Sequence, residues 1–219
     1  MSSAHRIVRI LAALAAVLIA AATLGATQVG ASTTAVDSTS CPPIAAGQLR
    51  SILGLSNSLQ ARNTTVASGG ADHYTCNGVA WSGTTPTSFQ AAMQTAKAGR
   101  GAGFGIEAWQ PGDDAGLWKD KNFPKLRSEM LQGYVSFPGV FTNIGWPTKR
   151  IDPPGYGHPA VGVVVTVGSG PAKGLVAAVG CWWDSSAYTA VCLLDEEAVG
   201  KPVVKHLNAL AKIAVPKVL

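Results

Sequence analysis

The feature that most constrains the fold is a stretch near the C-terminus that reads as three strands separated by two turns. Residues 161–194 run VGVVVTV, GSGPAK, GLVAAVGCWW, DSSA and YTAVCLL. Val-rich runs bounded by Gly, Pro and Ser are typical of antiparallel hairpins. With the second turn centred between Ser186 and Ala187, Cys181 lies opposite Cys192, within the distance that a disulfide spans. The sequence therefore predicts a cross-strand Cys181–Cys192 disulfide.

Alternation along these strands predicts which side chains share a face of the sheet. The face that carries Trp183 is the bulkier one, and we predict that helices cover it. The opposite face carries Trp182 beside the small residues Ala178 and Gly180. We therefore predict that the second face is open to solvent or a ligand, and that the ring of Trp182 is free to stack against a sugar or another apolar ligand.

The first 31 residues have the layout of a secretory signal peptide. A basic start with Arg6 and Arg9 precedes an Ala-, Leu- and Ile-rich run, and small residues precede a cleavage position after Ala31. An uncleaved membrane anchor is the alternative, because no charge occurs between Arg9 and Asp37. The strongly apolar part is shorter than the roughly 20 residues that a spanning helix needs. Cleavage and secretion, or retention at the cell envelope, are therefore favoured over a membrane anchor.

The rest of the chain is predicted to form one domain. Residues 32–40, STTAVDSTS, are typical of a disordered leader, and residues 41–219 contain no linker or internal repeat. The formal net charge of +5 includes Arg6 and Arg9 of the leader, so the mature chain is only mildly basic. This charge gives no support to a nucleic-acid partner.

Four cysteines in an exported chain predict two disulfides. With Cys181–Cys192 assigned to the hairpin, the remaining pair is Cys41–Cys76. The second bridge would tie the first turn of a helix, predicted from about Pro43 to Leu53, to a strand predicted at 72–81. A tight turn at Asn77-Gly78 is the alternative for that segment.

Hydrophobic periodicity predicts three further helices. They run from Thr85 to Gly99, from Pro124 to Leu131, and from about Glu196 to Ala214; the last has a buried stripe that begins at Val199. The segment at 133–141, GYVSFPGVF, is predicted to be a strand broken by Pro-Gly. The predicted fold is α+β: a curved antiparallel sheet with amphipathic helices on one face and two disulfides.

The sequence contains no recognisable catalytic signature. No serine lies in a G-x-S-x-G elbow, no close Cys/His pairs suit zinc, and the Gly-rich run at 99–105 lacks dinucleotide spacing. Asp113 and Asp114 are adjacent, which does not position an acid and a base across a glycosidic bond. His206 borders the apolar stripe of the last helix and is expected to be structural. We therefore predict no catalytic residue, no metal and no cofactor.

A long Pro/Gly loop at 144–160 supplies the candidate ligand-binding residues, because long irregular loops in compact domains are often functional. The candidates are Trp146, Tyr156 and His158 of this loop, together with Trp182. The leading hypothesis is a secreted or envelope-associated, non-enzymatic binding module. The alternatives are a secreted hydrolase that uses His158 with unidentified partners, and a purely structural or interaction protein. Partners would be an envelope polymer, a small ligand or a protein, with membrane contact only through an uncleaved N-terminal segment.

The two ends of the chain resemble small exported actinobacterial envelope proteins. The pattern Cys41-Pro-Pro-Ile…Leu49…Ile52-Leu53-Gly54…Cys76…Trp81 is similar to that of envelope lipoproteins and of the extracellular sensor domains of receptor-type Ser/Thr kinases. The Cys-containing hairpin followed by a helix ending in ALAKIAVPKVL is similar too. The lipid-attachment pattern Leu-x-x-Cys is absent before Cys41, and the resemblance does not extend over residues 84–160. It implies helices on a curved antiparallel sheet and a binding cleft, and it supplies no catalytic residue.

Overall fold

A computed structural model describes residues 40–41, 43–67, 71–111, 123–185 and 189–219. Within these ranges it contains nine strands and four helices. In chain order they are β1 (Ser40–Cys41), β2 (Ile44–Ala45), α1 (Ala46–Leu53), β3 (Asn57–Ala67), β4 (Ala71–Trp81), α2 (Phe89–Lys97), β5 (Gly101–Pro111), α3 (Phe123–Asn143), β6 (Thr148–Ile151), β7 (Ala160–Thr166), β8 (Val176–Trp183), β9 (Ala190–Glu197) and α4 (Val203–Val218).

Seven of the strands form one sheet in the order β3-β4-β5-β9-β8-β7-β6, and every neighbouring pair is antiparallel. The sheet consists of two meanders, β3-β4-β5 and β6-β7-β8-β9, which join where β5 pairs with β9. The predicted α+β class with an antiparallel sheet is confirmed. Strands β3 and β6 lie in segments that the sequence did not predict as strands.

The central hairpin has the predicted register. Cys181 pairs with Cys192 and Trp183 with Ala190, and the two cysteines form a disulfide with a Cα–Cα distance of 4.1 Å. This is the one disulfide that lies wholly within the described residues. The side chain of Cys41 is outside them, so the Cys41–Cys76 pairing stays a prediction, although Cys76 is fully buried and is not a free thiol.

Helices cover both faces of the sheet, so the prediction of helices on one face was wrong. We call the two sides the α2/α3 face and the α1/α4 face, after the helices that pack on them. On the α2/α3 face, Phe137 and Phe141 join the core of Cys181 and Trp183. On the α1/α4 face, the core contains Leu49, Leu53, Ala178, Trp182, Val191, Leu193, Leu207 and Leu210. The physical reason is that both alternating sets of β8, and of β9 as far as Leu194, are apolar, so each needs its own cover.

Trp182 is therefore a core residue, which corrects the prediction of an open face around it. It is 0% exposed and Trp183 is 6% exposed. The ring of Trp182 lies over Gly180, where an added Cβ would meet ring atoms at 2.6 Å. Leu207 of α4 lies over the same position. The absence of a side chain at Gly180 leaves room for the indole of Trp182. This ring is covered by helix α4 and is not open to a ligand.

Helix α3 is longer than predicted, because residues 133–141 continue it and do not form a strand. Its buried side chains, Tyr134, Phe137 and Phe141, recur at the three- and four-residue spacing of one helix face. The aromatic and β-branched composition and the internal Pro138 hid this spacing.

The last helix begins later than predicted. Glu196 still belongs to β9, and α4 begins at Val203, after Gly200 and Pro202. Val199, which was expected in the buried stripe, is 74% exposed. None of the described helices is both long and apolar enough to cross a membrane. The predicted signal peptide and residues 32–39 of the predicted leader lie outside the described residues, and Ser40 at the end of that leader belongs to β1.

Candidate functional site

Three consecutive acids at the end of β9 are buried in the middle of the sheet. Asp195, Glu196 and Glu197 are each at most 2% exposed. Strand alternation places Asp195 and Glu197 on the α1/α4 face, in line with Leu193, and Glu196 on the α2/α3 face. Burying charged groups is costly unless each is paired, so these side chains are the most unusual chemistry in the described core.

His206 of α4 faces the two acids on the α1/α4 face. Its Nδ1 is 2.9 Å from Oε2 of Glu197 and 3.9 Å from Oδ2 of Asp195. His206 lies in the first turn of α4, and its backbone N–H donates a hydrogen bond to the carbonyl oxygen of Pro202. The neighbouring Leu207 is fully buried and anchors this part of α4 to the sheet. His206 therefore closes a cluster whose other two members lie on the central strand.

Asp195 is the least satisfied member of this cluster. Its side chain is fully buried, and neither oxygen accepts a hydrogen bond from an N–H or hydroxyl group. Burial raises the pKa of its carboxyl group well above the usual range, and the charges of Glu197 and Glu196 raise it further. Glu197 lies within hydrogen-bonding reach, but two carboxyl groups can bond only when one of them carries a proton. As an anion, Asp195 therefore lacks a compensating donor.

Glu196 lies on the opposite face of the sheet. Burial raises the pKa of Glu196 to about 7, and the positive charge of Lys97 on α2 opposes this rise. Its Oε2 is 3.1 Å from where a Cβ of Gly103 would lie. Glycine at that position of β5 thus leaves the space in which the carboxyl group sits. Glu196 does not share the space of the cluster formed by Asp195, Glu197 and His206.

The cluster can do two things chemically. One ligand atom from each of Asp195, Glu197 and His206 lies within 4.8 Å of the other two, which is compatible with one shared cation. The same atoms can instead share protons, as closely placed carboxyl groups do when they cannot all be charged.

The candidate residues of the Pro/Gly loop do not form one pocket. Trp182 Nε1 donates a hydrogen bond to the carbonyl oxygen of Pro154, and the Tyr156 hydroxyl donates to the carbonyl oxygen of Asn208 on α4, both at 2.8 Å. These contacts fasten the loop to the α1/α4 face. Tyr156 has a φ of 50°, a left-handed conformation that is uncommon outside glycine, and its hydroxyl is fixed by this bond.

Trp146 and His158 lie elsewhere. Trp146 packs against the core of the α2/α3 face and stacks on Phe141 at 6.3 Å, so the sheet separates it from Trp182 and Tyr156. His158 is partly exposed, and its backbone N–H donates to the carbonyl oxygen of Gly155. Among the described residues, no hydrogen bond or ion pair joins the imidazole of His158 to a carboxylate or hydroxyl group.

Sequence reasoning missed the Asp195–Glu197–His206 cluster. Glu196 was assigned to the first turn of the last helix, where acids are common, and His206 was treated as structural. The run DEEAVGKP contained a usable signal: its Gly and Pro place the helix start at about residue 203, which leaves the acids in the strand.

Comparison of the chain with protein-family models, with curated proteins and with solved structures finds no match. The resemblance to envelope lipoproteins and kinase sensor domains therefore stays a prediction.

Proposed function

We propose that this protein is an exported, non-enzymatic, sensor-like binding module of the cell envelope, and that its ligand is a small cation bound at Asp195, Glu197 and His206. The observation that carries the proposal is the carboxylate of Asp195, which is fully buried and accepts no hydrogen bond. A cationic ligand would supply the missing positive charge.

Fold stability gives no reason for an acid at this position. Asp195 continues an alternating set whose preceding members, Val191 and Leu193, are ordinary core residues. Replacing buried charged groups by apolar ones of similar volume is often neutral or stabilising. The presence of two acids and an imidazole here therefore favours a binding role over a purely structural one.

Export is supported by two features of different kind. The first 31 residues have the signal-peptide layout described above. The Cys181–Cys192 disulfide is typical of an oxidising compartment. A small ligand is favoured over an envelope polymer as the partner, because the cluster is buried and its most exposed member, His206, has only 14% of its side chain exposed.

A ligand screen by thermal unfolding tests the proposal. The full mature chain, with its disulfides intact and without a His tag, would be heated with divalent metal ions, small organic amines and, for comparison, small anions. A ligand at about 100 times its Kd stabilises a protein by about 2.7 kcal/mol, which raises Tm by several degrees in a chain of this size.

The matched pair of variants is Asp195→Asn and Glu196→Gln. Both replace one buried ionisable carboxyl group by a neutral amide with little change of shape, but on opposite faces of the sheet. At least one cation should raise Tm in the wild type and in Glu196→Gln, and not in Asp195→Asn. A screen in which no cation raises Tm, or in which Asp195→Asn responds as the wild type does, rejects the proposal.

A further inference from the structure

We infer that Asp195, Glu197 and His206 form a binding site for a divalent transition-metal ion of the Zn²⁺ class. The inference rests on the proposed function, since it names the cation that the module binds. It starts from geometry: Nδ1 of His206 lies 2.9 Å from Oε2 of Glu197 and 3.9 Å from Oδ2 of Asp195, and all three ligand atoms lie within 4.8 Å of one another.

These separations fit one shared ion. Nitrogen and oxygen ligands lie about 2.0–2.2 Å from Zn²⁺. Two such ligands are therefore about 3.0 Å apart at a right angle and up to about 4 Å apart at a wide angle. The two measured distances from Nδ1 fall at the ends of that range.

Asp195 is the independent observation that points to a ligand. If the cluster were only a structural ion pair, the 2.9 Å contact between His206 and Glu197 would be sufficient for it. Asp195 adds a second acid that is fully buried, accepts no hydrogen bond and is aimed into the same space. Two anionic carboxylates and a neutral imidazole would balance the charge of one divalent ion, and the burial would then be compensated.

The donor set selects the class of metal. An imidazole nitrogen with two carboxylates suits Zn²⁺ and its neighbours in the first transition row. Ca²⁺ and Mg²⁺ prefer six or more oxygen ligands, which three side chains with one nitrogen do not supply. The site is also rigid on one side, because both acids lie on a strand that pairs with β5 and β8. His206 is the member that solvent reaches, with 14% of its side chain exposed.

The test is direct metal binding by the mature chain, purified without a His tag, with disulfides intact and stripped with EDTA. Calorimetric titration with Zn²⁺, and with Mg²⁺ and Ca²⁺ for comparison, would be combined with dialysis and elemental analysis. We expect one Zn²⁺ per chain and no saturable binding of Mg²⁺ or Ca²⁺ in the same concentration range. Replacing Zn²⁺ with Co²⁺ should give visible absorption bands of a low-coordinate site that includes His206.

Variants separate this site from chance binding. Asp195→Asn, Glu197→Gln and His206→Asn should each weaken Zn²⁺ binding by at least about tenfold. Glu196→Gln, on the other face, and His158→Ala, in the loop, should bind as the wild type does. If one acid variant does not fold, His206→Asn, at the partly exposed edge, still decides the matter. Unchanged binding in His206→Asn, or loss in His158→Ala, overturns the assignment.

The inference and the proposed function can fail separately. If an organic amine raises Tm in a way that depends on Asp195 while Zn²⁺ does not bind, the metal assignment is wrong and the binding module stands. If neither Zn²⁺ nor any other cation binds, the cluster is a structural ion pair and both are wrong.

Discussion

The wild-type fold is expected to lose stability as the pH rises, because Glu196 is buried. The Glu196→Gln variant should not show this part of the loss. The carboxyl group is buried on the α2/α3 face, where burial raises its pKa from 4.5 to about 7. Between these pH values the unfolded chain releases the proton and the folded chain keeps it, so rising pH favours unfolding. The stabilising contribution of the protonated group is complete below about pH 4.5 and is lost as the pH rises through about 7.

The size of the effect follows from the two pKa values. The difference between 4.5 and about 7 corresponds to a free energy of about 3 kcal/mol. Glu196→Gln should therefore be more stable than the wild type by about 3 kcal/mol at pH 8 and nearly equal to it at pH 4. Urea unfolding in EDTA-containing buffers, at several pH values between these limits, measures the difference.

Two controls separate Glu196 from its neighbours. Lys97 lowers the pKa of Glu196, so Lys97→Gln should deepen the loss of stability in the wild-type background and have little effect beside Glu196→Gln. Asp195 also has a raised pKa and contributes a slope of the same sign, which should persist in Glu196→Gln. The reasoning is refuted if the difference between Glu196→Gln and the wild type is the same at low and at high pH.

Three further predictions test the core, the second disulfide and the leader. Trp182→Ala and Trp183→Ala should each lower the free energy of unfolding by roughly 3–5 kcal/mol in urea titrations, because both rings are buried; a cost well below that for Trp182 would contradict the covered face. Non-reducing peptide mapping should recover a Cys41–Cys76 peptide, and a peptide joining either residue to the hairpin would refute that pairing. N-terminal sequencing of the exported protein should begin directly after Ala31, whereas a start at Met1 would favour the anchor.

The parts of the fold that the sequence predicted are those governed by local geometry. The register of the central hairpin follows from one turn position and the period of two, so Cys181 and Cys192 were placed opposite each other correctly. The same period sorted Trp182 and Trp183 onto opposite faces. The period of two could not predict which element covers each face of the sheet. The cover of the α1/α4 face depends on the path of the chain from β9 to α4, which is a non-local property of the topology.

The boundaries of the last elements show why the site escaped sequence reasoning. Acids before a helix are usually read as first-turn residues that favour the helix dipole. At Glu196 the backbone instead continues the ladder of β9 between β5 and β8, and at Glu197 it still pairs with β8. The burial of these acids is thus imposed by their neighbours in the sheet, and hydrophobic periodicity gives no sign of it.

The location of the cluster ties its chemistry to one packing contact. Asp195 and Glu197 are fixed by the centre of the sheet, and His206 is carried by a helix whose position is set by side-chain packing and by the Tyr156 hydroxyl bond to Asn208. A ligand that contacts all three therefore acts between β9 and α4, and its binding energy adds to the contact between that strand and that helix. Without a ligand, the cluster contributes the 2.9 Å contact between His206 and Glu197 to the same strand–helix interface. The position of α4 on the sheet is therefore the structural quantity most directly coupled to the geometry of this cluster.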